Sequence, residues 1–363
     1  KAAVKEAYAA RFGKTYKGIS AYNDLRDLFA REDIEAVIIA TGDRWHVPAG
    51  CLAVKAGKDV YCEKPMSLTI NEALTMVKVV RRYNAVFQVG LQQRSDPVFG
   101  FACKCVRSGV LGKIKRVYVA FPGTSTEVNL PPEPIPKGLD WDLWLGPCPW
   151  RPFNSRFHHY GKPRFVVPWH FCSDFGGGNL TSNAVHAFDI VQWALGADGT
   201  GPRKITPPGV NRTPSLTFEY ENGVILQVDW KLDPKKHPIP KGWNPAQRLQ
   251  PFGALYVGEK GWIHVGRRNY LAFYPPDLID PRKIPRDPRS PVLRHHKDWF
   301  RSIRSRKRPA CDVSIGCTST IVSHLGCIAH WTGRSLLWDP KKACFVGDLS
   351  LIHISEPTRL GMI

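Results

Sequence analysis

The chain has 363 residues, 43% of them hydrophobic and 23% charged, and a formal net charge of +20; this is the make-up of a globular protein with room for two domains. No apolar run approaches the roughly 18 residues needed to cross a bilayer, and the 51 Lys and Arg residues are spread along the chain instead of forming a stripe with interleaved aromatics, which argues against nucleic acid as a partner. The ten cysteines form no CxxC pair and no cluster with histidine, so they read as free thiols or small core residues with no metal site, which favours a reducing compartment.

In chain order, Ala2 to Phe12 reads as a helix closed by Gly13, and Asn23 or Asp24 caps Leu25 to Ala30. Ala36 to Ala40 is an apolar run of the kind found in parallel strands buried on both faces. Thr41 to Pro48 reads as a loop and Ala49 to Ala56 as a helix stopped by Gly57. Val60, Tyr61 and Cys62 form a short strand that must end at Glu63-Lys64, because Pro65 cannot continue a ladder. Ligands of open α/β sheets bind beyond the carboxyl ends of the strands, so this charged pair is aimed at a bound molecule. Thr69 and Glu72 announce a capping box for a helix to about Tyr83; Val86 to Gly90 is a strand and Pro97 to Ser108 a helix. The alternation is that of a Rossmann-type α/β domain over residues 1–112. No G-x-G-x-x-G occurs, so the first strands and the glycine-rich phosphate loop are expected upstream of Lys1, and the stretch alone is expected to be inactive and to show no saturable NAD binding.

From Lys113 the pattern becomes that of an α+β domain, residues 113–348, with a large open, mainly antiparallel sheet. Ile114 to Phe121, Ser215 to Tyr220, Val224 to Trp230, Ala254 to Val257 and Trp262 to Val265 read as strands, with a hairpin at Asn222-Gly223. Pro275 to Pro291 is a long loop, Arg301 to Arg308 a solvated helix end, and Cys317 to Gly333 a helix. Gly176-Gly177-Gly178 permits close approach of the backbone to another element or a ligand. On the helix that follows, Asn179, Ser182, His186, Asp189 and Trp193 recur at three- and four-residue steps and share a stripe.

Glu63-Lys64-Pro65 at a strand end, the apolar strand into Thr41 with His46 nearby, and the triple glycine followed by His186, Asp189, Trp193 and Leu195-Gly196 together resemble the glucose-fructose oxidoreductase / inositol dehydrogenase (Gfo/Idh/MocA) family. The strings from Gly57 to Pro65, Val89 to Arg94 and Trp141 to Pro147 resemble members abundant in planctomycetes and Bacteroidetes. The resemblance implies NAD or NADP as cofactor, a sugar, cyclitol or derivative as substrate, and a homodimer or tetramer formed through the open sheet. It further implies that Lys64 orients the substrate hydroxyl, that Glu63 positions Lys64, and that His186 is the base, an imidazole titrating near neutrality. Ser182, Asn183, Asp189 and Trp169 support the substrate, while Thr41, Trp45, His46, Gln92 and Arg94 join Glu63 and Lys64 along the cofactor crevice. One position departs: the family's Asp four residues before the histidine is Ser182, which cannot hold negative charge beside an imidazolium, and Asp189 is the neighbour placed to substitute. A redox-neutral glycosidase using bound NAD and a non-catalytic sugar binder are the alternatives. Leu349 to Ile363 reads as a non-native tail, because Leu349 to Arg359 resembles a translated sequencing adapter of an assembled shotgun read. The compartment is left open, cytoplasmic or, with an export signal upstream, periplasmic.

Overall fold

The computed structural model describes residues 2–14, 18, 20–158 and 169–348; the adapter-like tail lies outside them. Helix α1 (Ala2–Phe12) and the short α2 (Leu25–Phe29), capped by the Asp24 carboxylate, precede a three-stranded sheet. Strands β1 (Ala36–Ile39), β2 (Asp59–Cys62) and β3 (Phe87–Val89) pair in parallel in that order. The crossovers are α3 (Asp43–Lys55) and α4 (Ile70–Arg82). At the start of α4, the capping box is present in both directions, Thr69 accepting from the Glu72 amide and Glu72 from the Thr69 amide.

Two expectations are corrected here. Strand β1 is not buried on both faces: Val37 and Ile39 point into the core, but Ile38 is 58% exposed. Residues 43–48 are not loop but the first turns of α3, with Pro48 inside the helix. Proline there forfeits one ladder hydrogen bond, a loss offset by packing, since ten of the thirteen α3 residues are buried.

Helix α5 (Pro97–Arg107), capped by Asp96, leads into β4 (Ile114–Val119). After the short α6 (Trp141–Leu145) and α7 (Ser155–His158) come α8 (Val185–Ala194) and β5 (Pro202–Thr206). Strands β6 (Leu216–Tyr220), β7 (Ile225–Val228), β8 (Ala254–Gly258), β9 (Trp262–Gly266) and β10 (Tyr270–Tyr274) follow. The chain then runs through α9 (Pro291–Ser305) and α10 (Val313–Thr332) to β11 (Leu336–Asp339) and β12 (Cys344–Phe345). The nine-stranded order is β10-β9-β8-β4-β7-β6-β5-β11-β12, with only β4–β7 parallel.

Helices α5, α8 and α10 contribute to the core on one face of this sheet. Its other face is open only in part. Leu232, Trp243 and Leu249 form a second core with Tyr118, Leu255 and Trp262 of β4, β8 and β9. Helix α9 and the segment leading into α10 return to the first sheet: the Val89 amide donates to Cys311 O at 3.0 Å, and His295 Nε2 meets Val89 O at 2.9 Å. No disulfide forms, and eight of the ten thiols are buried.

Candidate active site

Lys64 leaves the end of β2 through a cis peptide bond to Pro65. Its ammonium donates to Ser182 O at 2.5 Å, so the α/β part and the segment behind the triple glycine are tied at this atom. Glu63 lies over Gly90, where an added Cβ would sit 2.9 Å from the carboxylate; its Oε1 accepts from Gln92 Nε2 at 3.3 Å. Burial raises the Glu63 pKa and lowers that of Lys64, where the charges of Asp43 and Glu63 pull the other way.

The triple glycine works by close approach to other elements. A Cβ on Gly178, at φ +68°, would lie 2.5 Å from the backbone of Thr124 and Ser125, and one on Gly177 would lie 2.3 Å from Thr181. The following helix begins as a π-helix, Leu180–Ala184, and becomes α-helical at Val185. The wider turn breaks the expected stripe. Asn179 accepts from Asn183 at 2.9 Å, and Ser182 Oγ donates to Gly178 O. Asp189 is fully buried, its carboxylate held by Arg94 (2.9 Å) and Ser319 Oγ (2.8 Å).

Two cavities meet at Lys64. One, of ≈570 Å³, is lined by Glu63, Lys64, Gln92, Asn183 and His186 together with Phe252, Arg267 and part of the 287–292 loop. The other, of ≈420 Å³, lies beyond the strand ends and is lined by Thr41, Asp43, His46, Glu63, Lys64, Trp169, His170, Ser182 and Asn183. The structure thus brings Lys64 and His186 to one space.

Four site expectations are corrected. Arg94 does not line the crevice; its guanidinium is a buried node between Asp189 and Asp198, which stabilise its charge. Asp189, held there, is not available to His186. His186 does not titrate near neutrality: it is 4% exposed, its Nδ1 is buried without a partner, and burial, Lys64, Arg267 and His295 hold its pKa well below the usual value. Trp45 donates to Leu143 O at 2.8 Å and lines a neighbouring cavity with Trp144 and Trp169, not the space around Lys64. His46 does line the strand-end cavity, but its ring nitrogens face Pro65 O (2.6 Å) and Thr41 O (3.1 Å), and burial lowers its pKa to about 4.

Asp43, His170, Phe252, Arg267 and Arg289 line these cavities without having been expected. Arg267 and Arg268 sit on the three-residue turn between β9 and β10, and Arg267 lies 3.7 Å above the Phe252 ring. The consecutive arginines followed by Asn269, between two strands, were the only available signal; Asp43 gave none, being read as loop.

Two family models match, the "Oxidoreductase family, NAD-binding Rossmann fold" over residues 2–91 and the "Oxidoreductase family, C-terminal alpha/beta domain" over residues 102–229. The chain belongs to the Gfo/Idh/MocA family. Among curated relatives of this family, the 2,7-anhydro-N-acetylneuraminate hydratase of Mediterraneibacter gnavus is 34% identical over 242 residues, 67% of this chain and 54% of the relative. Inositol 2-dehydrogenase of Corynebacterium glutamicum is 30% identical over 269 residues, 72% of this chain and 63% of the relative. The chain therefore spans less than two thirds of either of these relatives. A Bordetella pertussis dehydrogenase solved in complex with NADH and UDP-GlcNAcA superposes with a TM-score of 0.61 at 18% identity, over 93% of this chain and 87% of that one. That likeness is one of fold.

NAD is the cofactor of the matched Rossmann domain. Its nicotinamide end suits the strand-end cavity, which is walled by Thr41, Pro65 and Trp169 and opens onto Lys64. The described residues contain no glycine-rich phosphate loop.

Proposed function

We propose that this chain carries the hydride-transfer site of an NAD(P)-dependent oxidoreductase acting on a secondary alcohol of a sugar, cyclitol or glycoside. One observation carries the reading: an ammonium from the end of β2 and an imidazole from α8 line the same cavity, and the ammonium is anchored one helical turn before the imidazole. When bound, the nicotinamide supplies the carbon that accepts the hydride. Lys64, its pKa lowered by burial, exchanges the hydroxyl proton and stabilises the charge that develops on oxygen. His186 enters as a neutral ring that hydrogen-bonds and orients the hydroxyl, because a second buried cation beside Lys64 and Arg267 is disfavoured. Glu63 and Gln92 hold the strand end in place, while Ser182, Asn183 and Trp169 contact substrate. A homo-oligomer formed through the uncovered part of the nine-stranded sheet belongs to the same reading.

In an enzyme form that binds NAD, Lys64→Met, which keeps the stem and removes the amine, is expected to lower kcat by about 10²–10⁴-fold on any sugar or cyclitol that yields NADH. A variant retaining more than a tenth of wild-type turnover would remove Lys64 from the chemistry. Similarity to a hydratase favours one second reading, redox-neutral turnover on bound NAD. Product formed without net NADH would establish it.

A further inference from the structure

Two acidic residues line the ≈420 Å³ cavity at Lys64: Glu63, already described, and Asp43. Asp43 is 3% exposed, and its Oδ2 is fully buried with no hydrogen-bond partner. Its surroundings fix it there. Gly42 is extended, and α3 begins at Asp43 itself. Arg44 is drawn to the other side, its Nε donating to Trp144 O at 2.5 Å and its guanidinium lying 3.7 Å above the Trp144 ring. Gly176 passes so close that a Cβ would lie 3.2 Å from Asp43 Oδ2. A desolvated carboxyl without a partner is costly, and a fold that builds one into the wall of a cavity shared with an amine gives it a use.

We propose that Asp43 is the positioning residue for Lys64, its carboxylate setting the proton affinity of the amine. The electrostatics agree in direction. Burial pushes Asp43 up to about 7, with Lys64 the strongest opposing influence. For Lys64, burial acts downward and Asp43 is the strongest upward influence, ahead of the adjacent Glu63. The other groups facing Lys64 are Arg267 on the β9–β10 turn, His186 on α8, His170 and His46. Asp43 is faced in addition by Arg44, by Glu72 of α4 and by the thiols of Cys62 and Cys327. Its place at the positive end of α3 further supports its ionised form.

Asp43 has this role only if Lys64 is the proton-exchanging group proposed above. The test reads the amine itself, so loss of the oxidoreductase reading and loss of this one give different results. Only an unprotonated amine undergoes reductive methylation, and the Lys64 peptide reports its rate by mass spectrometry. Asp43→Asn is expected to speed methylation of Lys64 by about tenfold at neutral pH, the mark of a pKa lowered by about one unit. A change under twofold in a variant with wild-type circular dichroism would overturn the proposal, as would a larger acceleration in Glu63→Gln. Should Asp43→Asn not fold, the wild-type protein decides. Ionisation of Asp43 must bend the log rate of Lys64 methylation below unit slope between about pH 6 and 8, and a straight line of unit slope through that range refutes it.

Discussion

At the scale of single residues, charge pairing inside the protein decides which side chains are free for chemistry. Arg94 and Asp189 both occupy motif positions, yet they spend their charges on each other: Arg94 and Asp189 are 3% and 1% exposed in their side chains, and Asp198 completes the node. Removing one partner leaves the other buried and uncompensated. Arg94→Met is therefore expected to destabilise the fold by about 3–5 kcal/mol, read as a lowered urea midpoint. A loss under 1 kcal/mol would show that the node is hydrated. Sequence spacing placed Asp189 beside His186, and α8 keeps the α-helical step between them. The carboxylate is instead engaged by Arg94 and Ser319 from distant segments, which no local spacing reveals.

At the scale of elements, the triple glycine and the capping box were both legible, for different reasons. The box is local: Thr69 and Glu72 satisfy each other's amides within one turn. Thr69→Ala is expected to cost about 1 kcal/mol in denaturant unfolding. The glycines are required by a distant element, the 124–125 backbone, and sequence indicated the need for room but not its occupant. Gly178→Ala combines a left-handed φ of +68° with a Cβ 2.5 Å from that backbone. It is expected to cost several times more than Thr69→Ala, at least about 3 kcal/mol, since strained backbone alone costs 1–3. Equal melting temperatures for the two variants would contradict this. The early start of α3 was not legible, because Pro48 ordinarily ends a helical reading; packing against the neighbouring core overrode it, and that helical start places Asp43.

At the scale of the whole molecule, buried titratable groups link stability to pH. His46, His295 and His324 are lowered to about 4 and His264 to about 3, all chiefly by burial. Their folded pKa values lie below the unfolded value of roughly 6.5, so the unfolded chain takes up protons that the folded chain refuses. Their contribution is complete above about pH 6.5 and is lost as pH falls toward 4. Asp43 and Glu72, raised to about 7 by burial, act in the opposite sense: their contribution is present below about pH 4 and lost as pH rises through 7. Between these limits the lowered imidazoles, with His186, His170 and His330 among them, outnumber the raised carboxyls, which include Glu63 and Asp189, so unfolding takes up protons. The urea midpoint is expected to be lower at pH 4.5 than at pH 6.5, and an unchanged or higher midpoint would mean the histidines are not held neutral.

The sequence by itself determined the strand that ends at Glu63-Lys64, the alternation of helix and strand before it, the capped helix after it and the family resemblance. Each is carried by neighbours a few residues apart, where periodicity, caps and turn chemistry act. Only the tertiary structure decided that Arg94 neutralises Asp189, that His186 is buried without an acid, and that Asp43 and Arg267 face the same space as Lys64. Those outcomes depend on burial and Coulomb energy between groups far apart in the chain, and both are properties of the packed molecule that no local pattern encodes.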